Sequence, residues 1–195
     1  PAESALACAS DVDILLTSLP RPDHVESLML DDGVLDALSE KQIWVDLTTN
    51  RRDTLINWSD QTSASIVDCP VTGAVDGARK GKLTLFAGGE NDALDRVEPV
   101  LSNLGCVIRC GALGTGTVTK LVTNQLWFIH AAALGEGFAL GMRHGVELET
   151  LWDAIKDSVA DSFVAHHDAP SVFAGHYDPS FPLDLCVKDL GLIEE

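Results

Sequence analysis

Basic residues are scarce in this sequence. Thirteen Lys and Arg stand against thirty Asp and Glu, a formal net charge of −17 at pH 7. The acidic residues are spread along the chain rather than gathered in a tail, which argues against binding nucleic-acid phosphates or an anionic membrane surface. A membrane-length apolar run is also missing: the most apolar stretch, near Leu126 to Leu134, is broken by His130 and closed by Glu136. No signal peptide is visible, so the expected location is cytoplasmic. There is no starting methionine. With Pro1-Ala2-Glu3 at one end and Leu192-Ile193-Glu194-Glu195 at the other, the chain is expected to be a fragment of a longer protein.

Metal-binding spacing is absent as well. The six histidines form no His-Glu-x-x-His, and His166 and His167 are adjacent rather than one helical turn apart, so no metal site is expected. The five cysteines, Cys8, Cys69, Cys106, Cys110 and Cys186, are odd in number and scattered. Cys106 and Cys110 flank a strand-like Val-Ile-Arg and lie about 13 Å apart along an extended chain, too far for a disulfide or a shared metal. Buried thiols are the simpler reading. No repeat and no low-complexity linker appears.

What remains is a chain of 195 residues with 46% hydrophobic content, sufficient for one large or two small domains. In its first part, short apolar runs alternate with helical pieces. Val12 to Leu19, Ile43 to Leu47, Ser65 to Val71, Lys82 to Ala87 and Cys106 to Cys110 read as strands. The end of a helix over residues 1–10, short helices at Val25–Leu30 and Gly33–Leu38, and longer ones at Arg51–Thr62 and Asp92–Leu104 lie between them. This alternation predicts a parallel α/β sheet ending near Gly111, and such sheets bind ligands at the carboxyl ends of their strands. Three of those ends carry loops able to line one cleft: Leu19-Pro20, Thr48-Thr49 and Val71-Thr72-Gly73-Ala74. Thr72-Gly73-Ala74 offers successive backbone N–H groups that can cradle a carboxylate or phosphate. A plain glycine-rich connection is the alternative.

From Gly114-Thr115-Gly116 onward the pattern is helical. The stretch Gly114 to Gly141 contains no proline and predicts one helix from Thr117 to about His144, on the order of 40 Å long. Lys120 and Asn124 fall four residues apart on one face of it. Lys120 has apolar or small neighbours, which makes it a candidate for a lowered pKa. A lysine snorkelling at a helix start is the alternative. Further helices follow at Glu147–Val159, with Leu148, Leu151, Trp152 and Ile155 on one face, less regularly at Ser162–Ala174, and from Phe181 on. The last carries Lys188-Asp189, which also reads as a solvated pair. The small residues Ala131–Ala133, Gly135, Gly137, Ala139 and Gly141 permit close helix approach, and the expected assembly is a homodimer or homotetramer.

Several of these segments resemble the signatures of the β-hydroxyacid dehydrogenase family. Asp68 to Gly89 (DCPVTGAVDGARKGKLTLFAGG) resembles its substrate-binding signature, and Gly114 to Gln125 (GTGTVTKLVTNQ) its catalytic signature. TSLPRPDHV, VDLTTN and FPLDLCVKDLGL resemble three further segments, in the family's order and spacing, so the likeness covers nearly the whole chain. It implies a Rossmann-type domain, here residues 1–113, followed by an all-helical domain, 114–195. It also implies hydride transfer between NAD or NADP and a 3-hydroxy acid or its semialdehyde, as in 3-hydroxyisobutyrate dehydrogenase. Tartronate semialdehyde or succinic semialdehyde/glyoxylate reduction is an alternative substrate class, and a non-catalytic relative an alternative of another kind. By position Lys120 falls on the catalytic lysine and Asn124 on its partner. Thr72, Gly73 and Ala74 fall on the loop holding the substrate carboxylate. Leu19, Pro20, Thr49 and Lys188 fall on positions lining the cofactor.

The sequence departs from the family pattern at a few places. Thr72 stands for serine, Ala74 for a second glycine, Thr123 for an asparagine and His24 for a small polar residue. Ala74 constrains its loop if that position needs positive φ. The family's opening strand and its G-x-G-x-x-G turn are not among these residues, so NAD and NADP are not distinguished here.

Overall fold

The computed structural model describes residues 2–176 and 181–194; the terminal residues Pro1 and Glu195 lie outside that range. The chain opens with α1 (Ala5–Ala9), β1 (Ile14–Thr17), α2 (Pro22–Glu26), which runs on into a π turn over Ser27–Asp31, and α3 (Val34–Ala37). β2 (Ile43–Asp46), α4 (Arg52–Ser59), β3 (Ser65–Asp68), β4 (Val71–Thr72), α5 (Ala74–Arg79), β5 (Leu83–Gly88), α6 (Asn91–Leu101) and β6 (Gly105–Gly111) follow. The remainder is α7 (Thr115–Arg143), α8 (Leu148–Lys156), α9 (Phe163–His167), α10 (Ala169–Phe173) and α11 (Leu183–Glu194). Two compact units result, one of Pro1–Leu121 with Val187–Glu195, the other of Val122–Cys186.

The first unit is a Rossmann-like sheet with helices packed against it. β1, β2 and β3 pair in parallel, Leu15 opposite Trp44 and Val45 opposite Val67. Ile43 to Val45 are fully buried, as expected of strands covered on both faces. One core cluster on this sheet gathers Val25, Met29, Leu35, Trp44, Leu55 and Trp58, and the other gathers Val45, Val67, Leu85, Val97 and Leu101. Each such side chain contributes about 1.5–3 kcal/mol when fully buried. Pro22 opens α2 at a position where its missing N–H costs nothing.

The sheet is mixed, which corrects the expectation of a wholly parallel one. Its order is β1-β2-β3-β5-β4, with β6 pairing β5. β5 is antiparallel to β3 and β4, and β6 runs parallel to β5. The predicted strand over Ser65–Val71 divides at Cys69-Pro70, and the chain turns back into β5 through the short helix α5. Only residues 73–82 separate β4 from β5, fewer than the dozen or more that a parallel crossover needs, and the two pair antiparallel. From sequence the α5 segment reads as a glycine-rich connection, in which this reversal is not visible.

Among the described residues of the second unit, every element is helical. Gly141 lets Leu151 of α8 approach α7 closely, into space that a Cβ would fill. Trp152 Nε1 donates to Ala165 O, and Trp127 Nε1 to Asp168 Oδ2, both at 2.7 Å. Phe138 and Trp152 both meet Phe173 edge-on. Among the described residues no helix is long and apolar enough to cross a membrane.

Candidate active site

The carboxyl ends of β1 and β2 are knitted together from beneath. Asp46, the last residue of β2, is fully buried. Its Oδ1 accepts from Thr17 Oγ1 at 2.9 Å and from the Thr48 amide at 3.0 Å, and its Oδ2 accepts from Asn50 Nδ2 at 2.8 Å. Trp44 Nε1 donates to Thr17 Oγ1, and the Leu19 amide donates to Thr48 Oγ1 at 3.0 Å. Burial pushes the Asp46 carboxyl above its usual range, against the pull of these donors. Two of the three predicted cleft loops, Leu19-Pro20 and Thr48-Thr49, are therefore fixed to each other, directly through Thr48 and from below through Thr17 and Asp46.

The same loops meet Lys188. Its Nζ lies 3.4 Å from Pro20 O and 3.5 Å from Thr49 O, and pairs with Asp189 Oδ1 at 2.8 Å. Asp189 is fully buried. The solvated reading of this pair therefore fails: Asp189 is buried, and the Lys188 side chain on α11 retains 12% exposure. A polar cofactor at the carboxyl ends of β1 and β2 fits these residues: the two loops are tied together by hydrogen bonds, and the half-buried Lys188 ammonium stands beside their carbonyls.

Lys120 completes the cluster. It sits in the second turn of α7 and retains only 6% exposure. Burial lowers its pKa from 10.5 to about 8; Asp189 pulls the value up and Lys188 pushes it down. Thr117, Lys120 and Asn124 are all buried, forming an i, i+3, i+7 stripe along α7. Thr117 was not picked out from the sequence, although its spacing from Lys120 carried the signal.

The start of α7 is held by Asp68, the last residue of β3. Its Oδ1 accepts from the Gly114 amide at 2.7 Å and its Oδ2 from the Thr117 amide at 2.5 Å, satisfying donors that a helix start leaves without intrahelical partners. Burial raises the Asp68 pKa, while the two amides act to lower it. Gly116 has to be glycine: a Cβ there would run into Phe86 O and lie 2.9 Å from Asp68 O. This gives the glycine-flanked approach a packing reason.

Thr72-Gly73-Ala74 forms a separate turn in the same unit, at the junction of β4 and α5. Val71 and Thr72 are placed by antiparallel pairing with Leu85 and Thr84. Gly73 has φ 122° and Ala74 has φ 50°, a left-handed conformation for a residue with a Cβ. The position that the family pattern fills with a second glycine does take positive φ, and alanine bears the strain there.

The Rossmann-like sheet has the architecture of a nucleotide-binding domain, and comparison with known proteins gives its class. Residues 1–114 match the NAD-binding domain of 6-phosphogluconate dehydrogenase, and residues 114–195 match the NAD-binding domain of NADP-dependent 3-hydroxyisobutyrate dehydrogenase. 3-Hydroxyisobutyrate dehydrogenase of Pseudomonas aeruginosa is 33% identical over 203 residues, covering 98% of this chain and 68% of the relative. 2-(Hydroxymethyl)glutarate dehydrogenase of Eubacterium barkeri is 31% identical, covering 100% of this chain and 68% of the relative. The structure of Mycobacterium tuberculosis 3-hydroxyisobutyrate dehydrogenase with L-serine superposes with a TM-score of 0.90 at 27% identity, over 98% of this chain and 69% of that one. The chain belongs to the β-hydroxyacid dehydrogenase family and carries its NAD(P)-binding fold.

Proposed function

We propose that this protein oxidises a 3-hydroxy acid, or reduces the matching semialdehyde, in the manner of a 3-hydroxyisobutyrate dehydrogenase, with Lys120 as the proton carrier. The observation that supports this is the buried Lys120 amine, held near pKa 8 beside Asp189 and Lys188. A general acid–base group works best with a pKa close to the operating pH, and an ordinary lysine near 10.4 does not. The cofactor, when bound, supplies or accepts the hydride at the nicotinamide ring. During reduction the Lys120 ammonium gives its proton to the substrate carbonyl oxygen, leaving the neutral amine. During oxidation the neutral amine takes the hydroxyl proton as the hydride leaves the same carbon. Asn124, one turn along α7, would hold the amine or the substrate hydroxyl in line. The amides of Thr72, Gly73 and Ala74 would bind the substrate carboxylate. Leu19, Pro20, Thr49 and Lys188 would line the cofactor. We further propose the division into a nucleotide-binding domain, 1–113, and a helical domain, 114–195, with assembly as a homodimer or homotetramer.

The test is turnover of the whole protein with NAD and NADP across small 3-hydroxy acids and semialdehydes. Lys120→Ala should lower kcat by about 10² to 10⁴ with little change in cofactor affinity. Lys120→Arg should not restore it, because a guanidinium stays protonated in the working range. Retention of most of kcat in Lys120→Ala would show that another group carries the proton.

A further inference from the structure

We infer that Asp68 is a positioning residue for Lys120: its buried carboxylate fixes the first turn of α7 against the ends of β3 and β5, and so sets where the Lys120 amine stands. The inference rests on the reading of Lys120 as proton carrier. Its basis is geometric. The two carboxylate oxygens accept from Gly114 and Thr117, which lie three residues apart in the opening turn. One side chain thereby sets both the height and the rotation of that turn. Lys120 follows Thr117 by three residues, close to one helical turn, so any rotation at Thr117 is passed on to Lys120 through a rigid helix. The place of Asp68 is itself confined. The Asp68 carboxylate packs against Gly88, into space that a Cβ would occupy, and Asp68 pairs with Gly88 across the β3–β5 ladder. Gly116 brings the turn directly onto the backbone of β5 at Phe86. Few arrangements of α7 satisfy these contacts together.

A purely structural role for Asp68 would show as lost stability alone. A positioning role shows at Lys120, whose titration depends on how deeply the amine is held from water and on the facing charges of Asp189 and Lys188. The Cε and Nζ resonances of Lys120, assigned by their loss in Lys120→Arg, report that titration by NMR on the chain itself. In Asp68→Asn the amide nitrogen meets one of the two helix N–H donors without accepting from it. The turn should then loosen, and the midpoint of Lys120 should rise from about 8 by at least one pH unit towards the ordinary lysine value. In the whole protein kcat should fall by about 10², the scale of a displacement near 1 Å. Leu94→Ala, a core truncation on α6, should destabilise the fold and leave the midpoint in place. If Asp68→Asn does not fold, Asp68→Ser serves, since it too removes the carboxylate that joins the two amides. A midpoint unchanged in the folded variant would overturn the inference, as would an equal shift in Leu94→Ala. Full turnover by Lys120→Ala would refute the proton-carrier reading instead, and the titration would still decide whether Asp68 sets the place of the amine.

Discussion

Removing the Lys120 amine should make the fold more stable at neutral pH while destroying turnover. The reasoning is one of linkage. In the unfolded chain Lys120 titrates near 10.5, and in the folded one near 8. Between those values the unfolded state holds a proton that the native state has released. Stability contributed through this group therefore rises with pH across the window from about 8 to 10.5. Below it, folding carries the full cost of burying the ammonium. The separation corresponds to about 3 kcal/mol, of which about 2–3 kcal/mol is recovered by pH 10. Lys120 is nearly fully buried, so solvent screening reduces this figure little. Lys120→Met keeps the aliphatic bulk and removes the charge. Urea unfolding of the wild type and Lys120→Met, repeated from pH 6.5 to 10, should give stability curves that diverge at the acidic end, with the variant higher. They should converge as pH approaches 10. Parallel curves, or a variant that loses stability throughout, would show that the amine is not held in a dry site, and the physical argument for its catalytic role would go with it.

Two further outcomes follow from the same cluster and from the β4–α5 turn. Asp189→Asn removes the charge that raises the Lys120 pKa and leaves the Lys188 cation uncompensated, so the Lys120 midpoint should fall below about 8, and the acidic limb of kcat/KM for oxidation should move with it; a rise on NMR titration would contradict the assigned electrostatics. At Ala74, with φ 50°, stability should follow the order Gly, Ala, Val. Valine should cost about 1–3 kcal/mol, and any other order in urea midpoints would mean that the left-handed conformation is not held in solution.

Much of this protein was legible from its residues because the information was local. Apolar runs such as Ile43-Trp44-Val45 announce buried strands whatever surrounds them, and the proline-free stretch after Gly116 announces a long helix. The spacing of Lys120 and Asn124 needs only the helical period. Ala74 raised the question of a strained turn only through its departure from the family pattern, and the backbone of the folded chain supplied the positive φ. Other features depended on pairings that no local pattern encodes. The reversal of β5 arises because the chain after Pro70 returns through α5 to the side of its own preceding strand. Asp46 and Asp68 look alike in sequence, each closing a strand. One becomes the tie between two loops and the other the cap of a helix 46 residues further on, because burial forces each carboxylate to take whatever donors the fold brings to it. Lys188-Asp189 reads equally well as a surface pair. Only the return of the last helix to the first unit puts it inside, where low polarity lets it act on the pKa of Lys120. The sequence determined which residues were capable of the chemistry. The tertiary structure decided which of them are kept from water, and in whose company.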